Sequence, residues 1–162
     1  MREYLEEKSI ARRIMKNLAA WIHNLLSDGN MEPMICKDYP GNVAKGIQMY
    51  NDCIVKSFQS VEDSLANDPL QGILNVLFQY LYMKGWVGNA DAFSSFIDPS
   101  IDVLDTLFRK SNAKDRVQGT TKILSILWPF IKDLIDRNDT DSEDRLNRFF
   151  LQIGNRYLNI FR

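Results

Sequence analysis

The apolar residues of this chain recur with the period of a helix almost from end to end, and no sustained segment alternates with the period of two that a strand requires. Ile10, Ile14, Leu18, Trp21, Ile22 and Leu25 fall on one stripe, with Arg12, Arg13 and Lys16 off it. This spacing predicts a first helix from near Glu3 to Leu26. Ser27, Asp28 and Gly29 should end it, and residues 27–41, punctuated by Gly29, Pro33, Pro40 and Gly41, read as a loop.

A second helix is expected from about Asn42 to Leu65. Asp68 before Pro69 then makes an N-cap with proline at the first helical position, opening an apolar segment that carries Leu70, Ile73, Leu74, Leu77, Phe78 and Leu81. The stretch KGWVGN, residues 84–89, interrupts it, because glycine tolerates backbone angles that other residues resist. Further helices are expected from near Asn89 to Arg109 across Pro99, from Ala113 or Asp115 toward Trp128, and in a short piece bearing Ile131, Leu134 and Ile135. RNDTDSED reads as a polar turn before a terminal helix presenting Leu146, Phe149, Phe150, Ile153, Tyr157 and Leu158. The expectation is an all-α fold, one globular bundle of about seven or eight helices spanning residues 1–162.

Composition narrows the partners. A net charge of -1 gives no basic field of the kind duplex nucleic acid demands, so no nucleic-acid role is expected. Charges at Arg2, Glu3, Glu6, Glu7 and Lys8 interrupt any early apolar run, which excludes a secretory signal there. No stretch is apolar enough to span a bilayer, so membrane contact is expected only through a tail anchor removed from the sequence. Cys36 and Cys53 are too few for a disulfide framework and lack metal-ligand spacing, which points to a reducing compartment.

Catalytic chemistry finds little purchase. His23 is the only histidine, near the end of the first helix, and no nucleophile, base and orienting acid can be assembled around it. No glycine-rich phosphate loop is present. Asp91, Asp98, Asp102 and Asp105 follow one helical face beside Phe93, Ile97, Ile101, Leu104 and Phe108, and read as a solvated acidic face. No enzyme, metal or cofactor is expected.

Val43, Ile47, Tyr50 and Ile54 stand at helical spacing, with Asp52 two residues before the last. In IQMYNDCI this pattern resembles the third homology motif of the Bcl-2 family, Ile47 matching its leucine position, Asn51 its glycine and Asp52 its aspartate. KGWVGNADAFSSF is similar to the first homology motif. There Gly88 matches the glycine, Ala92, Phe93, Ser95 and Phe96 the helix that follows, and Trp86 the tryptophan once Val87 is taken as an insertion. Leu127, Pro129 and Ile131 look like the start of the second. The resemblance spans roughly Val43 to Ile131.

It implies a helical bundle around a central hairpin, with a groove that accepts an amphipathic helix from a death-promoting partner. Matching positions carry that groove to Ile54, Phe58, Val61, Leu65, Ile73, Leu77, Trp86, Gly88, Asn89 and Phe96. The implied protein is a survival-promoting apoptosis regulator, a monomer or homodimer, in the cytoplasm or at the outer mitochondrial membrane. The family's arginine, which pairs with the partner's aspartate, is Asn89 here, and DLIDRND stands where the second motif has glycine, glycine and tryptophan. A pore-forming role is disfavoured, since each aspartate of the 91–105 face would cost about 2.5 kcal/mol or more near a bilayer centre. Two alternatives stay open: an adaptor-binding decoy of the same fold directed at innate signalling, and an unrelated helical interaction domain.

Overall fold

The computed structural model describes residues 10–137 and 140–160, Thr140 and residues 152–160 through their backbone alone. Its described part is all-helical. Eight α-helices follow in order: α1 (Ala11–Asp38), α2 (Asn42–Lys56), α3 (Glu62–Asn67), α4 (Pro69–Met83), α5 (Ser94–Arg109), α6 (Ala113–Ile126), α7 (Trp128–Arg137) and α8 (Thr140–Ile160). A 3-10 turn, Asp91–Phe93, leads into α5. None of the described helices is long and apolar enough to cross a membrane.

Helix α4 is the hub. It buries Leu70, Gly72, Ile73, Leu74, Val76, Leu77, Phe78 and Gln79, a nearly continuous run interrupted by half-buried Gln71 and Asn75. Burying each large aliphatic or aromatic side chain contributes about 1.5–3 kcal/mol. Around it stand α2, α3, α5 and α7, while α1 packs chiefly on α6 and also on α2 and α5. Asp68 caps α4 as its position before proline requires, accepting a bond from the Gln71 amide at 3.2 Å. At the other end Lys84 takes the left-handed conformation and the chain turns, as KGWVGN predicts.

Residues 27–41 are not a loop. Helix α1 continues through Gly29 and Pro33 to Asp38, and only Tyr39–Gly41 separate it from α2. Tertiary contact overrides the local stop signals. A Cβ at position 29 would run into the Phe108 ring, so glycine here serves close approach and not a turn. One residue on, Asn30 is buried and donates to the Leu107 carbonyl at 3.3 Å, with Arg116 Nη1 donating to its oxygen at 3.4 Å. The expected start of this helix near Glu3 lies outside the described residues.

The expected helix 42–65 is broken in two. The amide of Ser57 donates to the Ile54 carbonyl at 2.9 Å and its hydroxyl donates to the same oxygen at 2.7 Å, ending α2. The polar turn expected over RNDTDSED is also shorter than its composition suggests. Helix α8 starts at Thr140, and Ser142 and Glu143 are buried. Arg13 donates to Glu143 twice, at 2.8 and 2.9 Å, and Asn17 donates to Asn147 at 3.1 Å, fastening α8 to α1. The side chains of Ile153, Tyr157 and Leu158 lie outside the described residues.

Candidate functional site

Two connectors that are far apart in sequence meet beside α4. The segment joining α2 to α3 donates from the Val61 amide to the Val87 carbonyl at 2.9 Å. Gln79 is 1% exposed and bridges the two segments, its amide nitrogen donating to the Gln59 carbonyl and its oxygen accepting from the Val87 amide, both at 2.9 Å. A buried amide that finds partners on both sides is a fixed strut. Gly88 completes the turn with φ near +97°, where a Cβ would also strike the Ser60 hydroxyl. Only glycine fits there without strain.

Asn89 is committed twice. Its amide donates to the Glu62 carboxylate at 2.7 Å, and its side-chain oxygen accepts from the Asp91 amide at 2.8 Å, closing the 3-10 turn. A carboxylate therefore stands at this corner. The acidic face runs on from it: Asp91, Asp98 and Asp102 are exposed, while half-buried Asp105 accepts from the Tyr80 hydroxyl at 2.7 Å. Burial first, and then the bond to Asp105, push the Tyr80 phenol up to about 12. Lys84 lays its ammonium over the Phe108 ring, 4.4 Å from the centroid, and burial lowers its pKa from the usual lysine range.

Of the groove residues expected from the sequence, Ile54, Val61, Leu65, Ile73 and Leu77 belong to the core, each at most 4% exposed. Phe58, Trp86 and Phe96 are half-buried, and Gly88 and Asn89 are exposed. These residues gather on the side of α4 that faces α2, α3 and the 84–91 turn, with Phe58 edge-on to Phe78 at 5.8 Å. Phe96 packs instead toward α7, edge-on to Phe130 at 4.7 Å. The five apolar residues of the set are therefore covered. A cavity of about 410 Å³ lies elsewhere, between α5 and α6, lined by residues such as Asp102, Leu107, Lys110 and Lys122.

The motif-like helix α2 lies at the surface. Only its Ile54 is buried; Ile47 and Tyr50 are half-buried, Asp52 is exposed, and Val43 is 48% exposed. Sequence reasoning missed Gln79 and Glu62. The one available signal was a glutamine set among Val76, Leu77, Phe78 and Leu81, which demands a partner when buried. Comparison with protein-family models, with curated proteins and with solved structures finds no match for this chain.

Proposed function

We propose that this chain is a survival-promoting, Bcl-2-like apoptosis regulator that sequesters amphipathic helices of death-promoting partners, acting in the cytoplasm or at the outer mitochondrial membrane. The observation that carries the reading is the stitched corner. Gln79 and Glu62 tie the α2–α3 connector to the Gly88–Asn89 turn, bringing Phe58 and Trp86 to the rim of an apolar floor made by Ile54, Val61, Leu65, Ile73 and Leu77. Helix-in-groove recognition needs such a floor with aromatic anchors at its edge. Since the floor is covered, binding requires the α2–α3 segment to move aside, and affinity is reduced by the cost of that opening.

Titration of labelled death-motif peptides into the full chain tests the reading. Binding is expected, with Trp86→Ala weakening it about tenfold or more, the loss of an anchor of over 1 kcal/mol. Leu77, being fully buried, reports on folding and is a poor probe of the groove. A folded chain that binds no death-motif peptide ends this proposal. The Glu62 carboxylate beside Asn89 favours the second reading, an adaptor-binding decoy, because a peptide aspartate arriving there would meet like charge.

A further inference from the structure

Helix α2 is weakly anchored for its length. Ile54 is its only buried residue, and non-helical segments flank it at Tyr39–Gly41 and at 57–61. Against it, α1 carries Asp28, exposed, and one turn further on Glu32, half-buried. Asn51 meets Glu32 from α2. The Asn51 amide donates to Glu32 Oε2 at 3.2 Å, but its oxygen Oδ1 is buried without a hydrogen-bond partner.

Among the described residues neither carboxylate has an ion pair. Lys45, Asp52 and Lys56 of α2 are exposed, and Arg116 of α6 is directed to Asn30 and Ser111. The joint therefore closes over Glu32, with Asp28 exposed beside it, and among the described residues no cation pairs with either acid. Partial desolvation raises the pKa of Asp28; desolvation, and more weakly the charge of Asp28, raise that of Glu32 against the opposing bond from Asn51. Tyr50 responds to the same surroundings, pushed up to about 12 by burial first and then by the two carboxylates.

We propose that the α1–α2 joint is a proton-sensitive latch, fastened when Glu32 beneath Asn51 is neutral and loosened when it ionises, with the neighbouring charge of Asp28 acting on Glu32. A neutral carboxyl is easier to bury and brings an O–H donor, the group that Asn51 Oδ1 lacks. The sign follows from linkage. Both acids have raised pKa values in the closed state, so closing takes up protons. The stabilisation is complete below the free carboxylate range, about pH 4, and is lost as pH rises through the raised values. The inference is independent of the peptide-binding proposal.

Amide hydrogen exchange of the full chain, followed in α2 from about pH 4.5 to 7.5 and corrected for the intrinsic rate, tests it. Protection of α2 should fall about tenfold or more across that range. Protection of α4 is the internal reference for global unfolding. In Asp28→Asn/Glu32→Gln, which mimics the neutral pair, α2 should stay protected throughout, and each single substitution should remove part of the slope. A flat profile in the unsubstituted chain overturns the latch. So does an undiminished slope in the single or double variants.

Discussion

Over its first half, α1 buries Ile14, Leu18, Ile22, Leu25 and Leu26 and is clamped to α8 by Arg13–Glu143 and Asn17–Asn147; beyond Ser27 it carries exposed Met31 and Met34 and the acids Asp28 and Glu32, neither of which has an ion pair among the described residues. In the first half, apolar contact and complementary polar partners act together. In the second, Gly29 and Asn30 secure the helix to α5 and α6, while its α2 side carries two acids. A single continuous helix can thus be part frame and part hinge, according to what its neighbours supply.

The largest effect should come from the frame. Leu18→Ala removes a fully buried side chain and leaves a cavity, and should cost about 2–5 kcal/mol in a denaturant titration. A cost below about 1 kcal/mol would mean that the first half is less tightly packed than its burial implies. Asn30→Ala should cost less, about 1–3 kcal/mol, since it strands the buried Leu107 carbonyl. Its signature is local, with exchange speeding up over residues 27–38 ahead of the rest of α1. Uniform acceleration along the whole helix would erase the distinction between the halves.

The smallest effect, and the sharpest, is on pH dependence. The hydrogen bonds from Arg13 hold the Glu143 carboxyl below the usual range, so its stabilisation is present above about pH 4 and lost as pH falls through its lowered value. Asp28 and Glu32 have the opposite sign. Glu143→Gln should flatten the acid limb of the melting-temperature profile and leave the neutral-side decline intact. If it removes both limbs, the two ends of α1 titrate as one unit and the comparison fails.

Features that depend on adjacent residues were legible in the sequence. Asp68–Pro69 announces the start of α4, and glycines at 85 and 88 announce the turn after it, because capping and left-handed geometry are local requirements. The run through Gly29 and Pro33 was not legible. Those residues signal a stop unless a partner such as Phe108 occupies the space that glycine leaves. The break after Lys56 was masked by an apolar stripe that runs on through Phe58, Val61 and Leu65. At the candidate site, periodicity identified the apolar residues but not their depth. Whether Ile73 and Leu77 line a trench or a core depends on whether α2 and α3 close over them, and that closure rests on Gln79.

The Gln79 strut also bears on the order in which the chain assembles. Gln79 and Gln59 are 20 residues apart, whereas Arg13 and Glu143 are 130 apart. Closing the shorter loop sacrifices less chain entropy, a difference of about 1.5 kcal/mol for such a ratio on the logarithmic loop-length rule. The corner around α4 can therefore form as an early local nucleus, while the clamp between α1 and α8 must await the near-complete chain.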